Sequence, residues 1–171
     1  MVAAAPTAPT EARIWQLLEE VSDPEVPVLS ILDLGIVRGV AVAGEQVSIT
    51  ITPTYSGCPA MGTIATDIRL RLLAEGYVNV LIHNQLSPAW TTEWLSAAGR
   101  DKLRAYGIAP PVAGTAATGH VLQLFGQATA VRCPLCDSAN TLLINQFGST
   151  ACKALYQCQD CREPFDYFKC H

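Results

Sequence analysis

The sequence lacks two features that mark whole classes of protein, a basic excess and a long apolar run. Its 171 residues carry 11 Lys and Arg against 15 Asp and Glu, so the net charge is −4. This argues against nucleic acid as the main partner, because neutralising phosphates requires a basic face. No apolar run approaches the roughly 20 residues of a membrane span, and the start of the chain lacks the basic and apolar regions of a signal peptide. We therefore expect a cytoplasmic protein that binds neither nucleic acid nor membrane.

Cysteine is nearly absent from the first 132 residues, where Cys58 stands alone. In the cytoplasm thiols stay reduced, so cysteines clustered elsewhere in the chain indicate metal binding more readily than disulfides. The last 39 residues hold such a cluster of six: Cys133, Cys136, Cys152, Cys158, Cys161 and Cys170.

The hydrophobic pattern before this cluster predicts a small α/β (α+β) domain with the element order α-β-β-α-β-α. A helix capped by Thr10 comes first. Two strands follow, joined at Ala43-Gly44-Glu45 as a hairpin, and then a helix that ends at Gly76. A third strand over residues 77–85 and a helix over 97–106 complete a three-stranded sheet with covering helices.

Composition divides the chain into a folded domain, a linker and a small second domain. Residues rich in Ala, Pro, Thr and Gly stand at the start and again after the last predicted helix. The prediction is a flexible arm over 1–9, an α/β domain over 10–111, a linker over 112–131 and an all-β zinc ribbon over 132–171.

The stretch P-T-Y-S-G-C-P-A-M-G, residues 53–62, separates a predicted strand from a predicted helix. Pro59 suits the first position of a helix, which places the sulfur of Cys58 near a helix N-terminus. The positive end of the helix dipole favours a thiolate, so we expect a lowered thiol pKa and a sulfur able to act as nucleophile or metal ligand. The alternative is that Cys58 is a small buried apolar residue.

Three carboxylates precede the first strand, in the segment D-P-E-V-P-V-L-S-I-L-D. Turn chemistry accounts for Asp23, and a cap or Asx-turn accounts for Asp33. A functional interpretation places both, with Glu25, on the side of the domain that carries Cys58. Together they would then offer oxygen and sulfur ligands to one metal ion.

Two C-x-x-C pairs with 21 residues between them predict a four-thiolate metal site. Cys133, Cys136, Cys158 and Cys161 suit a tetrahedral structural Zn²⁺, and a domain of about 40 residues needs such support. A rubredoxin-like iron or an iron–sulfur cluster on the same thiolates is the rival interpretation. Three further residues either pack or form a second, weaker metal site: Cys152, Cys170 and His171.

Several motifs resemble known families. The residues D-P-E-V-P, D-L-G-I-V, T-P-T-Y-S-G-C-P and G-I-A-P-P resemble the iron–sulfur-assembly domain of the SufT type, domain of unknown function 59, over about residues 11–111. With C-P-L-C and F-G-S-T-A-C-K-A-L-Y-Q-C-Q-D-C, the whole chain resembles the PaaD (or PaaJ) family of phenylacetyl-CoA oxygenase clusters. The resemblance implies a role beside a ring-1,2-epoxidase with a di-iron catalytic subunit and an iron–sulfur flavin reductase. It singles out Asp23, Glu25, Asp33, Thr54 and Cys58.

Three functions follow as hypotheses. A maturation factor would deliver iron or an iron–sulfur cluster to the oxygenase or its reductase, using Cys58 and the carboxylates as a transient site. A structural subunit would instead use the ribbon to dock on the oxygenase. An independent thiol enzyme lacks an evident base beside Cys58, so we expect no activity of its own. A homodimer is compatible with either of the first two hypotheses.

Overall fold

The computed structural model describes residues 9–112 and 131–169. The predicted arm, most of the predicted linker, Cys170 and His171 therefore lie outside the described residues. The chain divides into two compact units, a first unit up to Ala89 and a second unit from Trp90 onward. No helix within the described ranges is both long and apolar enough to cross a membrane.

The first unit is a three-stranded sheet with two helices, and these are the three strands and the first two of the three helices that the sequence predicts. The sheet has the order β1-β2-β3, with β1 antiparallel to β2 and β2 parallel to β3. A parallel pair needs a crossover, and α2 supplies it between β2 and β3. The elements are α1 (Glu11–Leu18), β1 (Val37–Ala43), β2 (Gln46–Ile51), α2 (Ala60–Ala74) and β3 (Val80–Asn84).

The apolar face of each element builds the core of this unit. The side chain of Thr10 accepts a hydrogen bond from the backbone N–H of Arg13, which confirms it as the N-cap of α1. Alternate residues of β2 and one face of α2 are completely buried. The predicted periodicities are therefore confirmed, and the residues that carry them are Val47, Ile49, Ile51, Ile64, Ile68 and Leu72.

Strand β3 is shorter than predicted. The alternation extended it over 77–85, whereas pairing with β2 covers Val80–Asn84. Val78 lies before the paired region and its side chain is 78% exposed. Backbone hydrogen bonds from Val47 to the oxygen of Asn79 and from Gln85 to the oxygen of Ile51 close the two ends of this pairing.

The second unit contains the predicted ribbon and a segment that precedes it. Its four-stranded sheet has the order β4-β7-β6-β5, in which β4 runs parallel to β7 and the other pairs are antiparallel. Strands β5, β6 and β7 confirm that the predicted ribbon is all-β. The elements are a short 3-10 helix (Thr92–Trp94), α3 (Ala97–Ala105), β4 (Ile108–Ala109), β5 (Thr141–Asn145), β6 (Lys153–Cys158) and β7 (Pro164–Phe168).

The predicted boundary at residue 111 differs from the observed division after Ala89. The third helix was expected to cover the sheet of the first domain, but α3 lies in the second unit. The reason is β4, whose two residues pair with β7 and thereby add the segment before the linker to the ribbon sheet. A two-residue strand leaves too little periodicity for the sequence to reveal it.

Candidate functional site

Four cysteine sulfurs of the second unit converge on one point. The Sγ atoms of Cys133 and Cys161 are 3.8 Å apart, those of Cys136 and Cys158 are 3.5 Å apart, and all four lie within 4.8 Å of one another. Zn–S bonds of about 2.3 Å in a tetrahedron place the sulfurs about 3.8 Å apart. The cluster therefore fits a four-coordinate zinc ion with no open position.

Both C-x-x-C turns share one backbone feature. The residue after the second cysteine is left-handed in each case, with φ of 59° at Asp137 and 68° at Arg162. This conformation is uncommon for residues other than glycine, and its repetition shows two equivalent knuckles. In the second knuckle the backbone N–H of Cys161 contacts the sulfur of Cys158 at 3.5 Å and lowers the pKa of that thiol to about 7. A lowered pKa favours the thiolate that binds metal.

The metal centre has an apolar cluster on its inner side and hydrogen bonds between side chains on its outer side. Cys133 and Cys158 belong to a buried apolar cluster that also contains Phe165. On the outside, Ser138 and Asn140 donate hydrogen bonds to the carboxylate of Asp160 and lower its pKa. A closed, four-thiolate site is typical of structural metal rather than of catalysis.

Cys152 is separate from this cluster. Its side chain is buried, its Sγ lies 3.1 Å from Oγ1 of Thr150, and its backbone oxygen accepts from the N–H of Lys169. These contacts agree with a packing role. Cys170 and His171, the other members of the predicted second metal site, lie outside the described residues, so that site stays a prediction.

Cys58 lies in the loop between β2 and α2, immediately before the Pro59 cap of the helix. Burial raises the pKa of its half-buried thiol, and the negative charges of Glu25 and Asp23 raise it further, while the backbone N–H of Ala60 acts in the opposite direction. The expectation of a lowered pKa was therefore wrong. The helix N-terminus does reach the sulfur, but desolvation outweighs it, because an anion loses more by leaving water than the backbone N–H groups of Ala60 and Met61 return.

The carboxylates upstream of β1 hold their own loop. Oδ1 of Asp23 accepts the backbone N–H groups of Glu25 and Val26, each at 2.8 Å. Oδ2 of Asp33 accepts the N–H and the hydroxyl of Ser30, both at 3.1 Å. The predicted turn role of Asp23 is confirmed, whereas Asp33 bonds back to Ser30, whose hydroxyl in turn accepts the backbone N–H of Asp33. The negative charges of Glu25 and Asp23 raise the pKa of Cys58, so both carboxylates lie within electrostatic reach of its thiol.

Cys58 and the three carboxylates do not form a cluster of closely spaced metal ligands in the described residues. In the parts of the chain that the structure describes, the four-cysteine cluster is the single group of three or more metal-binding side chains with closely spaced ligand atoms. A site shared by Cys58, Asp23, Glu25 and Asp33 therefore stays a prediction, as does the role of the buried Thr54. Sequence reasoning missed its neighbour Thr52, a buried hydroxyl with no hydrogen-bond partner within residues 9–112 and 131–169.

Two family models match the chain in separate places. Residues 11–81 match the iron-sulfur cluster assembly protein family. Residues 117–169 match the PaaD zinc beta ribbon domain. The second match covers all four cysteines of the metal centre, and the first covers Cys58 and the three carboxylates.

Whole-protein comparisons agree with these matches. The chain is 51% identical over 162 residues to a putative 1,2-phenylacetyl-CoA epoxidase subunit of Escherichia coli (strain K12), covering 95% of this chain and 94% of that protein. It is 35% identical over 89 residues to an Fe-S protein maturation auxiliary factor of Porphyromonas gingivalis, covering 51% of this chain and 84% of the relative. The crystal structure of a domain of unknown function, DUF59, from Bacillus anthracis superposes with a TM-score of 0.51 at 31% identity, covering 54% of this chain and 90% of that one.

Proposed function

The chain belongs to the family of this putative 1,2-phenylacetyl-CoA epoxidase subunit, and from that premise we propose that it is an accessory protein of phenylacetate catabolism that matures the oxygenase. In this proposal it delivers iron or an iron–sulfur cluster to the catalytic subunits of the oxygenase or to their iron–sulfur flavin reductase. The likeness of about half of the chain to an Fe-S protein maturation auxiliary factor supports this assignment.

The observation that carries the proposal is the placement of Cys58. A single half-buried thiol lies before a helix N-terminus, within reach of the charges of Glu25 and Asp23. One sulfur with nearby oxygens gives an incoming iron too few ligands for a permanent site, so the remaining positions are free for ligands of the recipient protein. A carrier needs this incomplete coordination because it has to release its cargo.

The raised pKa of Cys58 also supports temporary rather than permanent metal binding. At neutral pH the thiol is protonated in the resting protein, since burial and two carboxylates oppose the thiolate. Metal binding must therefore expel a proton, which weakens the net affinity at neutral pH. In the same chain the cluster of Cys133, Cys136, Cys158 and Cys161 serves a different purpose, for its closed four-sulfur geometry suits a metal that stays.

The decisive experiment compares the iron content of the recipient proteins. Cys58→Ala removes the proposed ligand and should cost the first unit only about 1 kcal/mol. Cells carrying this variant should fail to grow on phenylacetate, and the oxygenase or reductase isolated from them should be deficient in iron. Ser56→Ala, a change at an exposed position of the same loop, is the matched control and should leave both properties unchanged.

Equal iron per oxygenase and per reductase in wild-type and Cys58→Ala cells, at equal abundance of the accessory protein, would contradict the maturation role. A structural docking subunit predicts that result, together with stoichiometric copurification of this chain with active oxygenase. The iron content of the partners and the composition of the purified complex therefore separate the two functions.

A further inference from the structure

We infer that the order of residues 90–109 depends on the four-cysteine site holding its metal, although this segment lies far before the first zinc-binding cysteine. The matched family models end at residue 81 and resume at residue 117, so neither includes it. The compact second unit nevertheless begins at Trp90. The inference concerns the metal centre alone and holds whether or not Cys58 carries iron.

The first connection is a shared sheet and a shared core. Ile108 and Ala109 of β4 pair with Asp166 and Tyr167 of β7. Ala109 is 1% exposed and belongs to the same buried cluster as Cys133 and Cys158. The strand that ends the segment therefore shares one sheet and one buried cluster with residues that hold the metal.

A second connection joins the start of the segment to the end of the ribbon. The rings of Trp90 and Phe168 meet edge to face, with centroids 6.2 Å apart and an interplanar angle of 74°. Both side chains are almost fully buried. Aromatic pairs of this geometry add to the stabilisation that burial gives, so the start of the segment is anchored on the last residue of β7.

Arg100 of α3 joins the two ends of the segment by hydrogen bonds. Its guanidinium donates to the backbone oxygen of Pro111 at 2.7 Å and to the backbone oxygen of Thr92. The helix also buries Leu103. One side chain thus ties the residues before α3 to those after β4, so the segment holds together as one piece.

The segment has little means of folding alone. A nine-residue helix is marginal in water without tertiary packing, and a two-residue strand exists only through its partner. The partner of the segment is β7, which includes Phe168 and belongs to a ribbon too small to fold by apolar burial alone. Loss of the metal should therefore disorder β7, and α3 should lose its order together with β7.

Hydrogen exchange of the full chain, with and without a strong zinc chelator, tests this coupling. We expect the amides of α3 to lose protection together with those of β6 and β7, while α1 and α2 in the first unit keep theirs. Returning zinc should restore protection. Gln146→Ala, a change at an exposed ribbon residue between β5 and β6, should behave as the wild type. Retained protection across α3 after β6 and β7 have opened would overturn the inference.

The coupling must also act in reverse, because linkage between two events is reciprocal. Trp90→Ala removes the aromatic anchor without touching a ligand and should weaken zinc binding about tenfold or more, given the usual cost of truncating a buried aromatic. A competing chromophoric chelator measures this affinity on the intact chain. Trp15→Ala, in the first unit, should leave it unchanged. Equal zinc affinity in the Trp90→Ala and wild-type proteins would contradict the inference.

Discussion

The two units of this chain use cysteine and apolar burial in opposite proportions. Among the described residues, most of the large, fully buried apolar side chains lie in the first unit, whereas Leu103 and Phe168 are those of the second. The first unit has one cysteine, whereas the second brings four sulfurs within 4.8 Å. A unit that holds itself together by burial can leave a lone cysteine available for chemistry, but a unit with a small core needs its cysteines for the metal that stabilises it.

The acidity of the thiols does not divide the two units in this way. Within the second unit, the backbone N–H of Cys161 lowers the pKa of Cys158 to about 7, whereas the pKa of Cys136 is raised to about 12, because neighbouring sulfurs and burial outweigh the backbone N–H of Ser138. Within the first unit, burial and nearby carboxylates raise the pKa of Cys58. Both sites therefore release protons when a metal binds, and they differ in the number of their sulfur ligands.

The strongest test of this comparison removes one metal ligand. Cys136→Ser should abolish stoichiometric zinc and unfold the second unit, because three sulfurs and a hydroxyl no longer form the four-thiolate site. Elemental analysis should find about one zinc per wild-type chain and far less in the variant. Circular dichroism should still show the helices α1 and α2 of the first unit.

Two results would contradict this prediction. Wild-type protein with bound iron and no zinc would show that the site is not a structural zinc site. Simultaneous unfolding of both units in the variant would show that the first unit is not stabilised by its own core.

A core truncation in the first unit should give the complementary result. Ile68→Ala removes a completely buried side chain of α2 and should destabilise that unit by about 2–5 kcal/mol. Its zinc content should stay at the wild-type level, because the metal centre belongs to the second unit. Hydrogen exchange of the α1 and α2 amides measures the loss, and a drop in zinc content would contradict the separation.

Much of this arrangement could be predicted from the sequence because its signals are local. The C-x-x-C pairs, the alternation of β2, the Thr10 cap and the ribbon strands each depend on neighbours a few residues apart. The left-handed residues Asp137 and Arg162 had no such signal, since neither is a glycine. They are held by the knuckle geometry rather than by their own conformational preference.

Two other features depend on contacts between distant parts of the chain. The pairing of β4 with β7 joins residues more than fifty positions apart, and no periodicity of a two-residue strand announces it. The pKa of Cys58 depends on how deeply its loop is buried and on carboxylates from the segment before β1. Sequence position gave the helix N-terminus correctly but could not weigh desolvation against it.

A smaller effect should follow from the loop that brings the carboxylates towards Cys58. Asp23→Ala leaves the N–H groups of Glu25 and Val26 without their acceptor and should cost the first unit about 1–3 kcal/mol. Asp23→Asn keeps a carbonyl oxygen in the same place, so it should cost less while still removing the charge. Equal losses of unfolding free energy in the two variants would show that the charge, and not the hydrogen bonds, holds this loop.

The smallest effect concerns the reactivity of Cys58, and it tests directly how the nearby carboxylates act on its thiol. Only the thiolate reacts with iodoacetamide, and the pKa of Cys58 lies above its ordinary value of 9.0. Alkylation of Cys58 should therefore be slow at neutral pH and should accelerate through and beyond pH 9.

Glu25→Gln removes one of the charges that oppose the thiolate, so the pKa of Cys58 should fall and its alkylation rate at pH 8 should rise roughly two- to fivefold. Glu45→Gln, an exposed change in the β1–β2 turn, is the matched control. Mass spectrometry of the Cys58 peptide gives the rate separately from the other cysteines. A rate that is unchanged in Glu25→Gln would remove Glu25 from the electrostatic environment of Cys58 and, with it, one proposed oxygen ligand of the transfer site.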